Sequence, residues 1–76
     1  MVYTDRTHLV ADSMFELHTF AARIGLKRHR FHNRRGSHHP HYDLLKKGEV
    51  GMAVSLGAKV VSRREVLRLA KLLAAK

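Results

Sequence analysis

The sequence predicts a small single-domain α/β fold over residues 1–76, with elements in the order β-α-β-β-α-β-α and a four-stranded mixed sheet packed with helices. Three observations carry that expectation. A chain of 76 residues has room for one domain. Hydrophobic residues make up 45% of it, at the edge of the roughly 45–50% typical of globular proteins. Two segments of the form S-x-x-E, Ser13-Met14-Phe15-Glu16 and Ser62-Arg63-Arg64-Glu65, each open an apolar stripe at helical spacing.

In chain order, residues 1–4 are β-branched and aromatic enough for a short strand, and residues 5–12 read as a loop. Ser13 opens a helix over 13–24, in which Met14, Leu17, Phe20, Ala21 and Ile24 share one face. Gly25 follows, where a left-handed residue ends a helix. Residues 28–32 and 41–45 suit two strands. The short connection between them, broken by Asn33, Gly36 and Pro40, favours an antiparallel pair. A helix is expected over 46–56, with Val50, Ala53 and Val54 in register and Gly57 as its stop. Gly48 and Gly51 weaken it, each by about 1 kcal/mol against Ala. Residues 58–61 form an apolar strand. Ser62 opens the last helix, with a core stripe of Val66, Leu69, Ala70 and Leu73 and a basic ridge of Arg64, Arg68 and Lys71. The strand–helix–strand run over 41–61 implies a parallel pair with a right-handed crossover.

Composition narrows the function classes. Without cysteine there is no disulfide, thiolate metal site or cysteine nucleophile. No apolar run approaches the ~18 residues of a membrane span. The first residues carry Asp5 and no apolar h-region, unlike a signal peptide. A cytoplasmic protein with no membrane partner is therefore expected. Fifteen Lys+Arg oppose six Asp+Glu, a formal charge of +9. No acid occurs between Glu16 and Asp43; within that stretch residues 27–35 hold Lys27, Arg28, Arg30, Arg34 and Arg35, and five of the seven histidines (His29, His32, His38, His39 and His41) fall in or near that segment. Such an excess attracts polyanions. The core of so short a chain is modest, which leaves room for self-association.

In open α/β sheets, ligands favour the carboxyl ends of the strands. Three segments are expected to meet there: Asp5-Arg6-Thr7-His8, Asp43, and Ser62-Arg63-Arg64. Both capped helices are expected to start at that edge and to offer free N–H groups to an anion. Candidate phosphate-binding residues are Arg6, His8, Arg34, Arg35, Ser62, Arg63, Arg64 and Arg68. His39, His41 and Asp43, at i, i+2 and i+4, share a strand face and suit zinc, manganese or nickel. His8, His18 or Asp12 would complete such a site. His18, His41 and Asp43 are the candidate catalytic groups, acting by metal-activated water or by general acid–base chemistry, with His18–Glu16 as a second pair. There is no P-loop, G-x-G-x-x-G, H-E-x-x-H or G-x-S-x-G. No organic cofactor is expected, and a divalent metal is the one alternative.

The segments His8-Leu9-Val10-Ala11-Asp12-Ser13, Glu16-Leu17-His18-Thr19-Phe20-Ala21-Ala22-Arg23-Ile24-Gly25, His41-Tyr42-Asp43 and Gly57-Ala58 through Arg63 carry a resemblance. In order, they resemble the HL-x-ADS, ELH-x-FA-x-x-IG, HYD and GA-x-x-V-x-x-R signatures of a small bacterial and bacteriophage family of unknown function. The resemblance spans nearly the whole chain. It implies a compact α/β domain in a phage or bacterial setting, and marks His8, Asp12, Glu16, His18, His41 and Asp43. This chain departs from the pattern at Arg6, where the family carries a second Asp. Its loop before His8 is shortened, and its Arg/His-rich loop over 33–40 is expanded.

Three function classes follow. The first is a non-enzymatic binder of phosphate-rich ligands, nucleic acid or nucleotide. The second is a metal- or histidine-dependent phosphoesterase or nuclease built on His8, His18, His41 and Asp43. The third is an interaction subunit whose basic face meets an acidic protein.

Overall fold

A computed structural model describes residues 1–32 and 39–76. Among them are strands β1 (Val2–Thr4), β2 (His8–Ala11), β3 (Phe31–His32), β4 (His41–Asp43) and β5 (Lys59–Val60), and helices α1 (Met14–Arg23), α2 (Lys47–Ser55) and α3 (Arg63–Ala74). The strands form one mixed sheet in the order β3-β4-β2-β1-β5. All neighbours are antiparallel except β1 and β5. The chain is thus a small α/β domain of three helices on a five-stranded sheet, one strand more than expected.

The extra strand is β2. Residues 5–12, expected as a loop, contain it, and it lies at the centre of the sheet. Local chemistry makes the turn before it tight. Asp5 Oδ1 accepts the N–H of Thr7 at 2.9 Å and of His8 at 2.7 Å, an Asx turn. The buried Thr4 hydroxyl donates to the His8 carbonyl at 2.7 Å and accepts the Arg6 N–H at 3.0 Å. Arg6 absorbs the reversal with φ at 77°, a conformation in which a Cβ is costly. Leu9, Val10 and Ala11 are buried on both faces. A strand covered on both sides shows no polar alternation, so periodicity did not mark it.

The topology changes accordingly. The third and fourth expected strands, now β4 and β5, run the same way but are not neighbours, because β2 and β1 lie between them. The parallel partner of β5 is β1, with Tyr3 opposite Lys59 and Thr4 opposite Val60. The expected antiparallel pairing of 28–32 with 41–45 is present in shorter form. Phe31 faces Tyr42 and His32 faces His41, while Arg28–Arg30 form a 3-10 turn.

Helix ends follow the capping chemistry. The hydroxyls of Ser13 and Ser62 accept the N–H of Glu16 and Glu65, each at 3.1 Å. Gly25 and Gly57 end α1 and α2 with φ at 83° and 107°. The reciprocal half of each capping box is absent, because the carboxylates have cationic partners. Glu16 takes the Met1 ammonium at 2.6 Å, and Glu65 takes Arg68. Leu9, Ala11 and Tyr42 pack with Leu17, Phe20 and Ala21 of α1 on one face of the sheet. Val10 packs with Val66 and Ala70 of α3 on the other.

A two-pronged ion pair ties the end of β4 to α2. Arg30 Nη1 meets Glu49 Oε2 at 2.5 Å, and Nη2 meets Oε1 at 2.8 Å. The same Nη2 donates to the Asp43 carbonyl at 3.0 Å, and Glu49 accepts the N–H groups of Leu45 and Lys46 at the helix start. The Arg30 guanidinium, with those amides, draws the Glu49 carboxyl down to about 2 from 4.5. A lowered carboxyl pKa contributes stability that is fully present above the unfolded value and is lost as pH falls from about 4.5 towards 2. Glu49→Gln should cost about 2 kcal/mol at neutral pH, or roughly 10 °C in Tm, and should flatten the acid limb. Urea denaturation across a pH series measures both. Arg6→Gly, relieving the left-handed residue, should add about 0.5–1 kcal/mol in the same assay.

Candidate functional site

Because β1, β4 and β5 point the same way, their carboxyl ends lie together, and antiparallel β2 starts at that edge. Asp5 after β1, His8 at the start of β2, Asp43 at the end of β4 and Arg63 at the start of α3 all reach it. The register sets His8 opposite Asp43 and His32 opposite His41. Strand alternation puts His41 and Asp43 on one face.

Three neighbouring strands thereby converge on one carboxylate. His8 Nε2 lies 3.7 Å and His41 Nε2 3.3 Å from Asp43 Oδ1. One ligand atom from each of the three residues falls within 4.8 Å of the other two. His32 Nε2 meets the other oxygen, Asp43 Oδ2, at 2.9 Å. The rings support one another: His8 stands edge-on to His41 at 5.1 Å, and His32 stacks on His41 at 5.3 Å.

The outer nitrogens are held as well. His8 Nδ1 is 3.0 Å from Asp5 Oδ2, and His41 Nδ1 bonds the His39 carbonyl. An Nδ1–H donated outward leaves the Nε2 lone pair facing inward. With both rings in that neutral form, the two lone pairs and the carboxylate make a donor set that suits a cation. Outer-oxygen support of this kind orients metal-binding imidazoles. The Asp5 side chain is only 5% exposed. Burial pushes its carboxyl up, but the hydrogen bonds from the His8 ring and from the Thr7 and His8 amides hold it below the usual carboxylate range. It is therefore ionised at neutral pH, which makes His8 a stronger donor. A cleft of about 230 Å³ opens beside the triad. Asp5, His8, His39 and His41 line its sheet side, and Arg63, Val66, Leu67 and Ala70 line its α3 side.

Over residues 3–73 the chain matches the family described as a protein of unknown function, DUF4031. The chain belongs to that family. No curated protein and no solved structure matches it. The matched span contains His8, His41, Asp43 and the cleft-lining part of α3.

The structure sorts the sequence candidates of this DUF4031 chain into separate places. His41 and Asp43 meet as the i, i+2 spacing implies, but His8 takes the third position instead of His39. The pleat of β4 starts at His41, so His39 lies before the alternation that would have aligned it. His39 lines the cleft and lends its carbonyl to His41. Arg63 lines the cleft too, whereas Ser62 caps α3. Arg64 and Arg6 are exposed, and Arg68 pairs with Glu65 through two bonds of 2.7 Å. Arg34 and Arg35 lie outside the described residues. Of the two capped helices, only α3 begins at this edge. α1 follows the far end of β2, a consequence of the strand that the sequence reading lacks.

His18 stands apart from His41 and Asp43, since α1 packs on the opposite face of the sheet. Its Nδ1 is 2.7 Å from the Tyr42 hydroxyl, and its ring meets Phe31 edge-on at 4.6 Å. Burial, helped by the Arg28 charge, holds His18 below the ordinary histidine value, and burial raises the Tyr42 phenol. A protonated phenol donating to a neutral imidazole is thus favoured, a satisfied polar pair at the edge of the core. Asp12 and Glu16 share the Met1 ammonium at 3.1 and 2.6 Å. Spacing does not single out His32, which joins the site only through the β3–β4 register. Asp5 carries a readable signal, an Asx-turn residue three positions before a histidine.

The donor set predicts metal binding. Zinc or manganese at about 100 times its Kd should add roughly 2.7 kcal/mol and raise Tm by about 10 °C or more. His8→Ala and His41→Ala should each abolish the shift, and His18→Ala should keep it. Thermal melts with and without chelator measure this.

Proposed function

We propose that this chain is a divalent-metal-dependent phosphoesterase acting on nucleic acid or nucleotides. The observation that carries the reading is the convergence of one ligand atom each from His8, His41 and Asp43 within 4.8 Å, with outer oxygens on both Nδ1 atoms, beside a cleft that also carries Arg63. Two imidazoles and a carboxylate suit zinc, manganese or nickel with positions left for water and substrate. A metal there would supply Lewis acidity and a water of lowered pKa. Arg63, on the wall of the same cleft, would take non-bridging phosphate oxygens. Hydrolysis forms one P–O bond from water and breaks the ester P–O bond. One water proton goes to a base, and the departing alkoxide gains a proton to leave as an alcohol. His32, half-exposed against Asp43 Oδ2, would be the nearby imidazole to accept the water proton, with the leaving alkoxide protonated from solvent.

A second reading is supported by the charge. At +9 the chain attracts polyanions whether or not it cleaves them, and a non-enzymatic nucleic-acid or nucleotide binder would need only that field and the cleft.

A panel of phosphomonoesters and phosphodiesters with added zinc, manganese or nickel separates the two. The hydrolase reading expects metal-dependent turnover that chelator removes, and a loss of at least about 100-fold in kcat for His41→Ala and Asp43→Asn. If no ester is cut with any metal, while oligonucleotides bind with log affinity falling linearly in log salt, the binder reading replaces it.

A further inference from the structure

The two walls of the cleft differ in chemistry. The sheet wall is polar and carries Asp5, His8, His39 and His41, whereas the α3 wall presents Val66, Leu67 and Ala70 beyond Arg63. Val66 and Ala70 are core residues, 4% and 2% exposed, but Leu67 is 43% exposed. A phosphate or a bare sugar phosphate gains nothing from an exposed leucine within the site. A ligand with an anionic end and a flat apolar end gains from both walls at once. The volume is also small. At about 230 Å³ the cleft falls below the roughly 300–1,000 Å³ that takes a drug-sized ligand, so what it covers is on the scale of one phosphate and one ring system. Arg63 stands at the start of the same wall, one helical turn before Leu67, so a phosphate near Arg63 and the triad directs its attached base along α3.

We infer that the cleft recognises a single nucleotide unit, a nucleoside monophosphate or a strand end, by seating the base on Leu67 and the phosphate between Arg63 and the His8/His41/Asp43 set. This rests on the phosphoesterase reading for the phosphate end, and the apolar wall adds the base. The positive field steers longer polyanions to the cleft, and a strand end presents the single phosphate and base that its two walls match.

Binding and turnover are measured separately on the full chain with manganese. The probes are adenosine monophosphate, ribose 5-phosphate, a linear oligonucleotide and a circular single strand. The nucleotide should bind about tenfold more tightly than ribose 5-phosphate, the scale of one apolar contact. The linear strand should be degraded from its ends while the circle resists. In Leu67→Gln the nucleotide-to-ribose-phosphate preference should fall towards unity while the metal-induced rise in Tm persists. Equal affinity for the two ligands, an unchanged preference in Leu67→Gln, or cleavage of the circle as fast as the linear strand would overturn the inference. If no substrate is turned over but the binding preference appears and collapses in Leu67→Gln, base recognition stands and the hydrolase reading fails. If turnover occurs with no base preference, the reverse holds.

Discussion

The edge of the sheet that carries the candidate site depends on one buried carboxylate. Asp5 accepts two backbone N–H groups and the His8 ring, and these bonds have two consequences. The backbone bonds close a three-residue turn, so that the chain reverses at once into β2 and fills the centre of the sheet. The ring bond fixes the orientation of His8 at the first residue of that strand. Because β2 pairs with β4 in a register that sets His8 opposite Asp43, the turn that builds the fold also aims the imidazole. In so small a chain, with little core to hold an irregular loop, a turn satisfied by its own side chains is an economical way to keep a polar edge rigid.

The rest of the edge is supported in the same local manner. Arg30 reaches both the Asp43 carbonyl and Glu49, so the end of β4 and the start of α2 share one ion pair. His41 is held by the carbonyl of His39, two residues before it. Thr4, fully buried, serves both the Arg6 amide and the His8 carbonyl. The groups that face the cleft are therefore held from behind by short-range bonds, as a preorganised binding set needs. The opposite face shows the contrasting use of histidine. His18, with its neutral form favoured, is paired with Tyr42 and stacked against Phe31. His18 and His41 thus come to different surroundings because α1 packs on the face of the sheet that carries Tyr42, while His41, the adjacent residue of β4, points to the other.

Much of the chain was legible from its residues. Helix starts at Ser13 and Ser62 and stops at Gly25 and Gly57 rest on hydroxyl capping and positive φ, both properties of single residues. The pairing of His41 with Asp43 rests on the two-residue period of a strand. Family membership was legible as well, since the match spans residues 3–73 of the chain's own sequence. The strand β2 was not, since Leu9, Val10 and Ala11 are covered on both faces and show no alternation. The absent capping-box half at Glu16 was not legible either, because its partner, Met1, is brought near only by the folded chain, whereas the Glu65–Arg68 pair is local to α3.

By itself, the sequence determined the α/β class, the helix boundaries, the excess of positive charge and the polar residues worth weighing, because these follow from composition and from spacing within one element. The tertiary structure decided which of those residues act together. His8 joins His41 and Asp43, His18 departs to the other face, and His32 enters, all through strand order and register. Those are relations between distant segments, set by which strand pairs with which, and no periodicity within a single segment encodes them.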